Sequence, residues 1–171
     1  MDDLRPADVE GALTAAGDRV AGFTYGTLVA LSMVIAGAKL YPDEPGRVAA
    51  FVVLTTVALW LAHVYAHTIG QSVSHERRLQ LAELRHIARR EGAIVEAVLP
   101  PVLPLVLAAA GLISSQVALW AAFGLGLVVL AVQGVQFARV ERFGTLRTAI
   151  AVAVNVGVGL ILVAAKVVLT H

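Results

Sequence analysis

"AVLPPVLPLVLAAAGLISSQVALWAAFGLGLVVLAVQGVQFA", Ala97 to Ala138, runs for 42 positions without a charged side chain. A helix crosses the hydrocarbon core of a membrane in about 20 apolar residues, so this stretch is long enough for two spans. Between them, "GLISSQ" (Gly111–Gln116) has the composition of a tight turn. The stretch therefore predicts two membrane helices joined by a turn, and it decides the fold class: an all-α, polytopic membrane protein.

Three further stretches are long, apolar and free of charged side chains, and the composition of the whole chain is apolar as well. Hydrophobic residues make up 58% of the 171 positions and charged residues only 15%, against about 25% charged in soluble domains. The other windows are Val20–Ala38, Val48–Ser74 and Thr148–Ala165. We therefore predict one transmembrane domain over 19–171 with five spans: 19–40, 48–72, 94–111, 115–138 and 146–169.

Positive charge predicts the orientation of these spans. The segment 1–18 is acidic where a signal peptide would be basic, so no removable leader is expected. An arginine-rich helix is predicted over 73–92, and with five spans it shares one side with the N-terminus and the 139–147 loop. That side carries ten lysines and arginines and the other side three. The positive-inside rule then puts the N-terminus in the cytoplasm and the C-terminus outside.

Composition also limits the classes of function. The chain has no cysteine, which excludes disulfides and thiolate chemistry, and its net charge of +1 gives no general attraction to nucleic acid. No nucleophile or phosphate-binding loop accompanies its ionisable residues, so we expect no enzyme, no cofactor and no metal. Arginine outnumbers lysine 11 to 2, a bias associated with GC-rich bacterial genomes, and we expect a bacterial inner-membrane protein in contact with lipids.

Prolines and small residues predict how the helices bend and pack. "LPPVLP" (Leu99–Pro104) should kink or break the third span, because each proline removes a backbone donor. Small residues spaced by four allow two helices to approach closely. They form three ridges, whose partners lie either in the same subunit or in another: Gly22 and Gly26; Ala118, Ala122 and Gly126; Ala149, Ala153 and Gly157.

The second span carries a polar stripe through otherwise apolar sequence. Its members recur at steps of three or four, which places them on one helix face: Thr56, Trp60, His63, His67, Gln71 and Ser74. Polar side chains facing lipid are costly, so the stripe should face protein or an aqueous path. Two interpretations stay open: histidines that hydrogen-bond between helices, and a gate or ion path. A metal site would need a further ligand such as Glu96 or His75, and nothing in their spacing points to one.

Depth in the membrane suggests partners for these groups. Thr24 and Tyr25 lie about as far from the inner end of the first span as His67 does from that of the second. We therefore expect a hydrogen bond between Thr24 or Tyr25 and a histidine. Glu96 enters the third span on the same side, where Arg19 can meet it.

The first two spans resemble the lysosomal potassium channel family and its bacterial homologues over about residues 19–70. That family opens its first helix with R-x-x-x-F-S-D-G, and here "RVAGFTYG" supplies Arg19, Phe23, Thr24 and Gly26, with Tyr25 at the aspartate position. The family's second helix carries a tryptophan followed by histidines near its inner end, and Trp60, His63 and His67 are similar in kind. The resemblance implies a first helix that lines a pore and a monovalent cation as the permeant ion.

Two functions are therefore carried forward. In an oligomeric ion-permeation protein lined by the first helix, Thr27, Leu31 and Val34 follow one face and would form a mostly apolar constriction that gates by dewetting. His63 and His67 would then lie in or behind the pore. The alternative is a non-catalytic accessory or scaffold subunit in a homo-oligomer or a larger membrane complex. Its arginine-rich helix would dock a partner or anionic headgroups.

Overall fold

The described part of this computed structural model comprises residues 6–75, 81–141 and 143–169 and is all helical. It has seven helices: α1 Pro6–Leu40, α2 Pro45–His75, α3 Leu81–Glu91, α4 Ala93–Glu96, α5 Leu99–Ala109, α6 Ser115–Val140 and α7 Thr145–Leu169. The all-α prediction is confirmed. Within the described ranges, three helices are long and apolar enough to cross a membrane: Gly17–Leu40, Pro45–Val73 and Ser115–Val140. These helices are compatible with a multi-pass membrane protein.

The other two predicted spans differ from simple membrane helices. The stretch predicted as 94–111 is broken, and Leu81–Glu96 and Leu99–Ala109 are bent from each other by 56°. If this bent pair of helices crosses the membrane as a single broken span, it is the fourth span. In α7 the described apolar stretch is Thr145–Ile161. Five spans therefore remain a prediction, as does the orientation.

Proline causes the break between α4 and α5. Pro100 and Pro101 stand in the first turn of α5, where a missing N–H costs nothing, because those positions have no intrahelical acceptor. The same residues cannot donate to carbonyls of the preceding turn, so α4 cannot continue into α5. The predicted kink is confirmed, and it separates the polar α3–α4 segment from apolar α5.

The turn in the uncharged stretch forms where the sequence predicts it. Gly111 takes a positive φ of 76°, a conformation that glycine adopts without steric cost. The amides of Gly111 and Leu112 donate to the carbonyls of Ala108 and Leu107 at 2.9 and 3.0 Å, a Schellman closure of α5. The Ser114 side chain then accepts from the Val117 amide and begins α6.

One boundary differs by more than a turn: α1 begins at Pro6 rather than at residue 19. Much of 1–18 is therefore helical. Proline suits a first helical position, and "ALTAA" after it contains good helix formers. Charge content predicts where a helix can enter a bilayer, but it does not predict where the helix itself starts. Of the arginine-rich helix predicted over 73–92, residues 76–80 lie outside the described ranges, and α3 forms its second half.

Helices α1, α2, α5 and α6 pack around one core. Its buried residues are mostly valine and alanine, with Leu105 the largest: Ala30, Val34, Val48, Ala49, Val52, Val98, Val102, Leu105, Ala108, Ala118 and Ala122. Many larger apolar side chains point outward instead, including Leu54, Trp120 and Ile161 at 69%, 71% and 68% exposure. An apolar exterior over a core of small residues is the arrangement expected of a helix bundle solvated by lipid.

Candidate functional site

Four members of the polar stripe of α2 make contacts within the chain. Trp60 contacts α3, the ring of His63 lies 5.4 Å from that of Tyr25 on α1, and His67 lies beside Glu91 at the end of α3. Thr56 is fully buried, and its hydroxyl donates a hydrogen bond to the carbonyl of Val52 one turn earlier in α2. These four residues thus make contacts within the chain, with His67 also half-exposed, and the prediction that the whole stripe faces protein or an aqueous path stays a prediction.

Trp60 links α2 to the C-terminal turn of α3. Its indole Nε1–H donates to the backbone carbonyl of Ala88 at 3.1 Å. The last four carbonyls of a helix lack intrahelical donors, and the Gly92 amide donates to Arg89 rather than to Ala88. An indole is a donor only, so it satisfies this carbonyl and fixes α3 across α2.

The two histidines have different surroundings. His63 Nδ1 lies 3.1 Å from the carbonyl of Leu59, and because a carbonyl only accepts, Nδ1 carries the proton. His67 Nε2 lies 3.4 Å from Oε1 of Glu91, with the His67 side chain 49% exposed and that of Glu91 13% exposed. His63 is thus held within the bundle, whereas His67 forms an ion pair with Glu91 when it is protonated.

The expected hydrogen bond from Thr24 to a histidine is wrong. Thr24 Oγ1 contacts the Gln133 side chain on α6 and also lies 2.9 Å from the Val20 carbonyl. A hydroxyl has one proton, so it donates to one of these two oxygens. Tyr25, the other expected partner, packs its ring against His63 rather than against His67. Gln133 is only 6% exposed, and sequence reasoning missed it, although an amide deep in an uncharged, apolar stretch was a usable signal.

Ion pairs join α1 to the α3–α4 segment at the same end of the bundle, which we call the charged end. The expected contact between Arg19 and Glu96 is present, with Nη2 and Oε2 2.6 Å apart. A second pair joins Asp18 to Arg90. Arg19 and Glu96 are 59% and 48% exposed, so each such pair contributes little stability by itself. Together with the His67–Glu91 contact, they fix α3 and α4 against α1 and α2.

The face of α1 assigned to a pore is part of the interior of the protomer. Thr27, Leu31 and Val34 are 0%, 1% and 0% exposed. Leu31 packs so closely on α6 that a Cβ added at Gly126 would lie 2.4 Å from its Cδ2. The Thr27 hydroxyl donates to the carbonyl of Phe23 at 2.8 Å. This packing corrects the predicted constriction, because a pore on this face would require α1 to separate from α6.

The ridge of Gly22 and Gly26 also packs within the chain, on α4. A Cβ at Gly26 would lie 2.5 Å from the carbonyl oxygen of Ile94 and 2.9 Å from the Cβ of Ala97. At these contacts the ridge serves packing inside one subunit. Phe23, beside it, lines a groove of about 540 Å³ between α1 and α6. On α7, Ala149 and Ala153 are exposed, and a Cβ at Gly157 would have no neighbour within 4 Å.

The contacts described above, including those of Trp60, His67 and Arg19, connect one helix to another. Among the described residues, no three carboxylates or histidines come together in a way that could hold a metal ion. The buried side-chain polar atoms of that part of the chain all have hydrogen-bond partners, which leaves no orphaned group pointing to an absent ligand.

No family model matches the chain, and comparisons with curated proteins and with solved structures find no match.

Proposed function

We propose that this protein is a non-catalytic membrane scaffold that holds the arginine-rich helix α3 at the membrane surface. The observation that carries the proposal is the use of the α2 stripe: Trp60 caps α3 at 3.1 Å and His67 meets Glu91 at 3.4 Å. These polar groups, the costly ones in a membrane, serve contacts inside the chain.

The partner-facing surface in this proposal is the outer side of α3. Leu81 and Leu84 are 73% and 39% exposed, and Arg85 and Arg89 are exposed beside them. The inner side packs through Ile87, which is 4% exposed. An apolar and basic surface of this kind suits an acidic or amphipathic segment of another subunit, or of a second copy.

The topology belongs to the proposal as well. We place five spans in a bacterial inner membrane, with the charged end in the cytoplasm and the C-terminus outside. The support is the ten-to-three distribution of lysine and arginine and the contacts that gather Asp18, Arg19, Arg90 and Glu96 at one end. In this arrangement α3 lies on the cytoplasmic surface and α7 is the fifth span.

Ion permeation is the second candidate. It is favoured by one observation, the half-exposed His67 beside Glu91, because ionisable groups at membrane depth often mark ion or proton paths. A pore would then form between protomers, on a face other than that of Thr27, Leu31 and Val34, and would carry a monovalent cation.

A flux measurement separates the two candidates. Purified protein in liposomes is given a potassium gradient at pH 5, 6 and 7, beside empty liposomes and the His63→Gln/His67→Gln double variant. The scaffold predicts no protein-dependent flux at any pH. Flux that changes over this range in the wild type and is pH-independent in the double variant would establish the channel and reject the scaffold. This pH range is chosen because imidazole side chains in general gain or lose a proton within it.

A further inference from the structure

A two-part groove lies between the end of α6 and the start of α7. Its apolar part has a volume of about 640 Å³, and its walls include Phe137, Phe143, Ile150, Val154 and Asn155. A polar part of about 630 Å³ adjoins it, lined by Glu141, Gly144 and Thr145 among others. Phe143 and Arg147 border both parts. The groove is therefore amphipathic along its length.

The apolar part runs along α7 away from the charged end. Arg147 and Val154 are seven residues apart, which is about 10 Å of helix rise. Along it, Ile150 and Val154 are 54% and 58% exposed, and Phe137 is 52% exposed on the α6 side. The rings of Phe137 and Phe143, which stack edge to face at 5.8 Å, belong to its wall. An acyl chain lying parallel to α7 would cover these surfaces.

Among the described residues that line the polar part, one carries a negative charge and one a positive charge. Glu141 and Arg147 both line it, yet among the described residues neither has an ion-pair partner, and they do not pair with each other. Two opposite charges held apart in one pocket complement a ligand that carries a phosphate and an ammonium group. Arginine binds phosphate through its planar fork of donors, and a carboxylate accepts hydrogen bonds from a primary ammonium.

We propose that this groove binds a phospholipid with a phosphoethanolamine headgroup. Arg147 holds the phosphate, Glu141 holds the ammonium, and one acyl chain lies along Ile150 and Val154. A choline headgroup has no N–H to donate to Glu141, and a glycerol headgroup has no positive charge. The groove should therefore select ethanolamine over both. The inference is independent of whether the chain is a scaffold or a channel.

The test is native mass spectrometry of the full chain, released from micelles doped in separate samples with phosphatidylethanolamine, phosphatidylcholine or phosphatidylglycerol of equal acyl length. The wild type should retain one phosphatidylethanolamine in preference to the others. Arg147→Gln should weaken retention of all three lipids by about three- to tenfold, the effect of one lost hydrogen-bonding group. Glu141→Gln should lower the retention of phosphatidylethanolamine more than that of phosphatidylcholine, and so reduce the preference for ethanolamine.

Arg139→Gln is the matched control, since it removes a positive charge at the same end without lining the groove, and it should behave as the wild type. Val154→Trp fills the acyl part and should abolish retention, with helix content by circular dichroism unchanged. Soluble phosphoethanolamine alone should bind too weakly to survive release. Equal retention of the three lipids by the wild type, or unchanged ethanolamine preference in Glu141→Gln, would overturn the proposal. A dimer that retains no lipid would overturn it too, because a second copy would then cover the groove.

Discussion

Gly26 is the position where the packing of α1 is most sensitive to a single methyl group. An added Cβ would lie 2.5 Å from the Ile94 carbonyl oxygen and 2.9 Å from the Ile94 Cα. Both neighbours are backbone atoms of α4, so neither can rotate away as a side-chain end can. Gly26→Ala therefore forces α1 and α4 apart by several tenths of an ångström or more.

Two effects of opposite sign set the magnitude. Replacing glycine by alanine inside a helix stabilises it by up to about 1 kcal/mol. Overpacking a well-filled contact costs about 1–3 kcal/mol, and more when the backbone itself must move. The clash at Gly26 is severe and lies against backbone, so we expect the second effect to win, with a net loss of about 1–2 kcal/mol in the free energy of unfolding.

Gly22→Ala is the matched control, one turn earlier on the same helix and on the same face. Its Cβ would meet the Cβ of Ala93 and the Cγ1 of Ile94 at 3.6 Å each, which is ordinary van der Waals contact. We expect this variant to be neutral or up to about 1 kcal/mol more stable. Unfolding of both variants is followed by circular dichroism in mixed micelles of increasing sodium dodecyl sulfate content. If Gly26→Ala unfolds at or above the wild-type midpoint, α1 does not approach α4 as described and the reasoning fails.

Further outcomes follow from other contacts. Leu31→Ala should cost about 2–5 kcal/mol as a buried truncation and create no potassium flux in liposomes; flux with retained stability would restore the pore interpretation. Trp60→Phe should cost about 1 kcal/mol and speed amide hydrogen exchange in α3, whereas unchanged exchange would mean that the indole does not hold that helix. Arg19→Gln breaks an exposed ion pair and should shift the free energy of unfolding by under about 1 kcal/mol, so a loss of several would contradict the exposed geometry. Cysteines placed at Arg85 and Arg47 should react with membrane-impermeant reagents only from the cytoplasmic and the outer side respectively; labelling of both from one side would overturn the topology.

Local chemistry made parts of the fold predictable from sequence. The turn at Gly111 and the break before α5 follow from single residue types, because glycine permits a positive φ and proline removes a donor. The polar stripe of α2 was equally readable, since helical periodicity alone puts Trp60 and His67 on one face. These features depend on neighbours within a few positions of the chain.

Tertiary packing was not predictable in the same way. In a membrane, lipid and protein interior are both apolar, so hydropathy does not tell a buried face from a lipid-facing or pore-facing one. Thr27, Leu31 and Val34 read equally well as a pore wall and as a core, and only the approach of α6 to α1 decides between them.

Which charged residues form ion pairs depends on how far each helix is shifted along its neighbour. Asp18 pairs with Arg90, and His67 meets Glu91, across separations in sequence that no periodicity specifies. Arg19 and Glu96 were expected to meet because both lie where a predicted span enters the same side of the membrane. The sequence thus predicted how deep in the membrane a residue lies, but not which neighbouring helix it contacts.

The most direct test of the central claim, that the α1 ridge packs on α4 within one protomer, is a disulfide cross-link. The chain has no cysteine of its own. The Cβ positions of Gly22 and Ala93 are 3.6 Å apart, within the span of about 3.5–4.5 Å that a disulfide bridges. A Gly22→Cys/Ala93→Cys variant, oxidised in membranes, should give a cross-linked monomer whose gel mobility returns to normal on reduction. Gly17→Cys/Ala93→Cys, with no neighbour within 4 Å of Gly17, should stay reduced. Covalent dimers from the first variant, or no disulfide at all, would contradict the account.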